Sequence, residues 1–190
     1  MLISEIAQVV AGGTPSTSQV EYWNGNIPWI TPKDMSQLKG KYVSKTTSYI
    51  TEKGIEKSSA TLFPENSVIL STRAPVGYLA INTVPMTSNQ GIKAIVCDPE
   101  KCSPEFLYYL LKTKQRELEQ QSSGSTFKEL PTSGLKNFNI ELPEMQKQLR
   151  IASTHELNLN FVRPSAIFLS NSFPCAVKSF NSAWKSASFC

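Results

Sequence analysis

Histidine is almost missing from this chain of 190 residues; the one copy is His155. Histidine-based acid–base or nucleophilic chemistry is therefore not expected, since any such pair would have to recruit that single base. Cysteine is scarce too. Cys97, Cys102, Cys175 and Cys190 match no zinc-ligand spacing, and they read as reduced thiols. Long apolar runs are lacking: nothing approaches the roughly 18 residues that a membrane span needs. Met1-Leu2-Ile3-Ser4-Glu5 has neither the basic start nor the apolar run of a secretory signal. The expected location is the cytoplasm, with no membrane partner. Charge is low, at 18% of residues, and acids disappear after Glu156. Residues 1–156 hold 16 Lys plus Arg against 15 Asp plus Glu, whereas residues 157–190 hold only Arg163, Lys178 and Lys185. A nearly neutral body is not a polybasic phosphate binder. Affinity for nucleic acid would have to come from locally placed cations and base contacts, or be shared with a partner.

What the chain does have is a 40% hydrophobic share, enough for a real core. Its length fits one domain with an appendage, or two small domains. Leu2, Ile3, Ile6, Val9 and Val10 fall at helical spacing, and Gly12-Gly13 closes that segment. Asn24-Gly25 signals a turn, and Ile27-Pro28-Trp29-Ile30 reads as a short edge strand. Val68 to Thr72, Gly77 to Ile81 and Gly91 to Val96 read as strands, with residues 82–90 as a loop. Pro104 to Gln121 reads as one helix, capped by Ser103, with Phe106, Leu107, Leu110, Leu111 and Leu118 on its apolar face. Phe138 to Leu142 alternates as a final strand before Pro143, and Met145 to Ala152 begins another helix. Seven serines and irregular apolar spacing then mark a composition boundary near residue 155.

The polar fragments that remain sit in turns. Arg73 ends a strand, between Thr72 and Ala74-Pro75; it suits a guanine edge, a phosphate or a plain surface ion pair. Asn89-Gln90-Gly91 offers two carboxamides, suited to adenine N6 and N7 or to local caps in a hairpin loop. Gly124-Ser125-Thr126-Phe127-Lys128 combines hydroxyls and a cation for phosphate oxygens, or forms a simple helix-to-strand turn. Tyr22, Trp23 and Trp29 either pack in the core or stack on a ligand. A peptide- or glycan-binding module built on these aromatics is the alternative to nucleic-acid reading. Gly12-Gly13-Thr14 lacks the Gly-Lys-Ser/Thr ending of a phosphate loop and follows a predicted helix. A methyltransferase is not expected either: there is no Gly-rich S-adenosylmethionine loop after a first strand and no Asn-Pro-Pro-Tyr or Asp-Pro-Pro-Tyr motif.

Taken in order, the fragments make a longer pattern. Gly12-Gly13-Thr14-Pro15-Ser16 is followed by Tyr22-Trp23, Ile27-Pro28-Trp29-Ile30-Thr31 with Asp34, and Ile50-Thr51-Glu52-x-Gly54. Then come Ser58-x-Ala60-x-Leu62-x-Pro64, Ser71-x-Arg73-x-Pro75-x-Gly77, Asn89-Gln90-Gly91 and Phe106-Leu107-Tyr108-Tyr109. Gly124-Ser125-Thr126-Phe127, Ile140-x-Leu142-Pro143 and Gln148-x-Arg150-Ile151-Ala152 complete it. This series resembles the target recognition domain of the specificity subunit of type I restriction-modification systems, over about residues 2–152.

The resemblance implies a mixed α/β (α+β) fold: one recognition domain with a mostly antiparallel or mixed sheet, flanking helices and a truncated C-terminal helix. It implies a non-enzymatic protein that reads double-stranded DNA. Its partners would be methyltransferase subunits, which use S-adenosylmethionine on adenine, and a restriction subunit, which uses ATP; no cofactor falls to this chain. Full-length members carry two such domains joined by two long spacer helices. This chain has one, so a homodimer of half subunits is a further expectation. Residues 1–145 would form the recognition domain. Residues 146–190 would start the spacer helix and then diverge, because Pro164 and Pro174 break a long helix. Arg73, Asn89 and Gln90 are the candidates for bases or nearby backbone, and Lys33, Ser125, Thr126 and Lys128 for phosphates, with Thr14 and Ser16 as secondary candidates. The lysine-rich stretch 33–57 is a second candidate reading segment.

Overall fold

The structure, a computed structural model, describes residues 1–73, 75–122 and 129–161, the last four by backbone alone. The chain opens with α1 (Ile3–Ile6), β1 (Ala7–Ala11), a 3-10 turn (Val20–Tyr22), β2 (Trp23–Ile30), α2 (Pro32–Ser36), β3 (Tyr42–Val43), β4 (Ser48–Ile50) and α3 (Glu52–Glu56). It continues with β5 (Val68–Ser71), β6 (Leu79–Asn82), β7 (Thr87–Ser88), β8 (Ile92–Cys97), α4 (Pro104–Thr113), α5 (Gln115–Gln120), α6 (Thr132–Lys136) and α7 (Met145–Phe161).

Five strands form the central sheet in the order β1-β8-β5-β6-β3, antiparallel except where β3 runs parallel to β6. A smaller sheet, β4-β2-β7, joins an antiparallel and a parallel pair. Side chains alternate across a strand, so each strand of the central sheet feeds two cores. Val68, Leu70, Ile81 and Ile95 face the helices, where they meet Ile3, Ile6, Phe106, Leu107, Leu111 and Phe138. Ile69, Ala80, Ile92 and Ala94 face the other way, onto Ile30, Met35, Phe63 and Met86. The result is three layers: helices, large sheet, small sheet. Burial on both faces explains the continuous apolar runs of β5 and β8. Each fully buried Ile or Leu contributes about 1.5–3 kcal/mol of transfer free energy.

Several elements differ from the periodicity reading. Leu2 to Val10 is not one helix: α1 lasts a single turn, and Ala7 turns extended (φ −158°, ψ 155°) to begin β1. The spacing also fits a strand there, and five residue pairs with β8 decide the outcome. The helix read from Pro104 to Gln121 breaks at Lys114 (φ −100°, ψ 16°) into α4 and α5. Phe138 to Leu142 forms no strand. A single bridge, Leu2 to Asn139, and hydrogen bonds between residues 1–3 and 138–140 hold it instead. Asn24-Gly25 does not separate strands; it bulges inside β2, with Asn24 left-handed at φ 60°. The loop read at 82–90 contains β7. Helices α2 and α3 were missed, although Thr31 and Thr51 each cap one by accepting the amide of the residue three ahead.

The last helix is fixed by buried polar contacts. Gln148 is 1% exposed; it accepts from the Ser103 amide and donates to the Lys101 and Pro143 carbonyls. This joins α7 to the start of α4. His155 stacks on Tyr109 at 4.9 Å, and Lys41 pairs with Glu156. The helix therefore runs past the composition boundary near residue 155, as far as Phe161. Pro164, Pro174, Cys175 and Cys190 lie outside the described residues. Of the other cysteines, Cys102 is buried, and its hydrogen bond with Cys97, together with burial, pushes the Cys97 thiol up. That disfavours the thiolate a metal would need.

Candidate nucleic-acid interface

One end of the central sheet gathers most of the sequence-marked residues. β1 and β5 finish there and β8 starts there, because antiparallel pairing sets Ala11 beside Lys93 and Ser71 beside Ile92. The loops after β1 and β5 and before β8 therefore share one edge.

The loop after β5 is a small closed structure. The Ser71 hydroxyl donates to the Pro75 carbonyl and accepts the Tyr78 amide, both at 2.8 Å. Gly77 takes φ +101°, a value that disfavours any side chain. Ser71, Pro75 and Gly77 thus shape a turn that displays Arg73. The Arg73 Nε donates to the Glu129 carboxylate at 3.0 Å, with both side chains partly exposed.

The loop before β8 lies alongside. The Thr72 amide bonds the Gly91 carbonyl at 2.8 Å. The half-buried Asn89 accepts the Gly91 amide through Oδ1, a local cap, and its own backbone amide bonds Ile30. Gln90 is exposed and accepts from the Thr14 hydroxyl at 2.6 Å. That bond ties the loop after β1 to the loop before β8. A Cβ on Gly12 would lie 2.0 Å from the Asn89 carbonyl oxygen, so this contact requires glycine.

The aromatics serve the same edge from below. Trp29 donates its indole N–H to the Gly13 carbonyl and Trp23 to the Ser16 carbonyl, and the rings meet edge to face at 5.0 Å. These half-buried tryptophans hold the 13–16 loop through their indole N–H groups. Ser16 is exposed and its hydroxyl meets that of Ser18. Lys33 is exposed on α2, one residue from Pro32, whose ring lies against Gly91. Ser125, Thr126 and Lys128 lie outside the described residues; Glu129, which follows them, sits at this edge. The stretch 33–57 is divided. Lys33, Lys45 and Lys57 are exposed, while Lys41 belongs to the α7 contact on β3, the far edge of the sheet from β1.

Lys93 was not singled out from the sequence. It is 6% exposed, and its ammonium donates to the Gln90 carbonyl at 3.3 Å. Burial lowers its pKa; Glu129 opposes that and Arg73 adds to it. A lysine inside the apolar run Ile92-Lys93-Ala94-Ile95 was the available signal, because lysine is rarely buried unless it is paired. Thr72 is also fully buried here, and its hydroxyl finds no partner among the described residues.

Cation, carboxamides and hydroxyls thus gather on short loops, fixed by main-chain bonds, at one end of a mixed α/β fold. Comparison with known proteins makes that specific. Residues 1–156 match the model of the type I restriction modification DNA specificity domain, and the chain belongs to that family. It is 44% identical over 153 residues to the type I restriction enzyme MjaIX specificity subunit of Methanocaldococcus jannaschii, covering 80% of this chain and 35% of that protein. Against the type I restriction enzyme EcoR124I/EcoR124II specificity subunit of Escherichia coli it is 32% identical, over 78% of this chain and 38% of that one. The chain thus spans little more than a third of these curated relatives. The crystal structure of the HsdS subunit from Thermoanaerobacter tengcongensis shares the fold, with a TM-score of 0.65 at 20% identity over 85% of this chain and 37% of that one.

Proposed function

We propose that this chain reads double-stranded DNA by sequence, as the specificity component of a type I restriction-modification complex. In that role it directs adenine methylation and restriction by partner subunits and performs neither reaction itself. The observation that carries the reading is the convergence of Thr14, Arg73, Asn89 and Gln90 on one sheet end in a member of this family. Arg73, Asn89 and Gln90 meet base edges. Lys33, Ser125, Thr126 and Lys128 meet phosphates, with Thr14 and Ser16 beside them. Residues 1–145 are the reading domain, and residue 146 onward starts the spacer helix.

The partners follow from the same reading: a methyltransferase subunit carrying S-adenosylmethionine, a restriction subunit using ATP, and a second half subunit. Supporting the last of these, Leu149 and Leu157 on α7 are 53% and 63% exposed, eight residues apart. That spacing puts them on one face of the helix.

Selection from a randomised duplex pool tests the reading. The full chain, with its methyltransferase partner, retains duplexes that share a motif. Methylome sequencing of the host with and without the gene then finds that motif methylated only when the gene is present. Retention without sequence preference, and an unchanged methylome, overturn the reading.

A further inference from the structure

Arg73 and Glu129 form more than a chance surface pair. Their backbones make an antiparallel bridge, the Leu130 amide bonds the Thr72 carbonyl at 2.9 Å, and the Thr72 amide bonds Gly91 at 2.8 Å. Glu129, Arg73 and Gly91 therefore occupy three neighbouring main-chain positions, and the carboxylate is carried there by the fold. The contact uses only the Nε of Arg73. The two Nη groups, which form the fork that matches guanine O6 and N7, make no hydrogen bond to the described residues. A carboxylate on Nε fixes the plane of the guanidinium while leaving its fork outward. A negative charge at this point also repels phosphate oxygens, which carry charge, more than a guanine edge, which does not.

Lys93 gives the carboxylate a second role. Its buried ammonium feels Glu129 favourably and Arg73 unfavourably. Glu129 thus pairs with Arg73 and also opposes the lowering of the Lys93 pKa, so it reduces the repulsion between the two cations.

We infer that Glu129 is a specificity-determining positioning residue, which orients Arg73 to read a guanine in the major groove and keeps it off the DNA backbone. This rests on the DNA-reading function proposed above and names the base that the site takes. Glu129 touches Arg73 and not the DNA.

The test is pool selection with the full chain, using 30-base-pair duplexes randomised at the centre, for the wild type, Arg73→Ala, Glu129→Gln and Glu129→Ala. The wild type selects a motif with one position that Arg73→Ala erases, and that position is guanine. Glu129→Gln keeps binding but lowers the guanine preference there by about tenfold, leaving other positions unchanged. It also raises retention of unselected duplex at low salt and steepens the salt slope, since one opposing charge is gone. Glu129→Ala does the same or more. A merely structural role would lower retention at every position together and shift the melting temperature. The inference is overturned if Glu129→Gln leaves the guanine position as the wild type has it, if the Arg73-dependent position is not guanine, or if the loss spreads over the whole motif. A wild type with no motif overturns the DNA-reading function itself, and this inference with it.

Discussion

Gly12 shows how a single atom can set the meeting of two loops. With a Cβ 2.0 Å from the Asn89 carbonyl oxygen, 2.3 Å from the Ser88 hydroxyl and 2.6 Å from the Ser88 carbonyl oxygen, the loop after β1 and the end of β7 would have to part. Gly12→Ala is expected to destabilise the fold by about 1–3 kcal/mol, read from the urea midpoint, and to weaken duplex binding beyond that by shifting Asn89. Arg73 is expected to work in the opposite manner: it is exposed, and in the proposed role it serves recognition rather than folding. Arg73→Ala is expected to lower affinity for the selected duplex by about 1–3 kcal/mol, with little change for scrambled duplex, as measured by fluorescence anisotropy. Arg73→Lys does not restore discrimination, because an ammonium lacks the fork. Equal losses on both duplexes would refute the base-reading role. At this scale the sequence was informative about Arg73, since Ser71, Pro75 and Gly77 shape its turn within a few residues. It marked Lys93 only as a lysine inside an apolar run, and was silent about its neighbours Arg73 and Glu129, which come from distant segments.

Asp34 shows the same division for a whole element. Its carboxylate accepts the amides and hydroxyls of both Thr31 and Thr47, so it starts α2 and also ties it to the approach of β4. Burial raises its pKa, but those four hydrogen bonds outweigh burial and hold it below the ordinary 3.8. A carboxyl depressed on folding adds stability above its unfolded pKa and loses it as pH falls through the folded value. Asp34→Asn is therefore expected to cost about 1–3 kcal/mol at pH 7, with the difference from wild type shrinking below about pH 4. Urea titrations at both pH values check it; a pH-independent difference refutes the charged role. The capping half of this was legible as Thr31-Pro32-Lys33-Asp34, a box at the right spacing. The Thr47 half was not. Likewise Leu2 to Val10 satisfies helical spacing in isolation, yet β8, more than 80 residues away, claims its second half as a strand.

For the molecule as a whole, the nearly even charge of residues 1–156 means that binding cannot rest on bulk attraction. Short loops must place a few groups well, and a single domain must find help. In the proposed assembly a second half subunit would attach at the exposed Leu149 and Leu157 on α7. The chain is expected to sediment near twice its monomer mass, and Leu149→Glu with Leu157→Glu to return it to the monomer while leaving its melting temperature within a few degrees. A monomeric wild type at micromolar concentration refutes self-pairing through this face.

The amino-acid order alone determined the centres of β2, β5, β6 and β8, the Ser103 cap of α4, the polar turns and, through their succession, the family. These signals are local: alternation, a hydroxyl before a helix, a glycine at a turn, each acting over a few residues. The three-dimensional fold decided the rest. It made Ala7 to Ala11 a strand, broke the long helix at Lys114, carried α7 past the composition change, turned Trp23 and Trp29 into supports for a loop, and set Glu129 and Lys93 beside Arg73. Each of these depends on which segments meet across the sheet, and hydrogen bonds and charges between distant segments leave no period in the sequence.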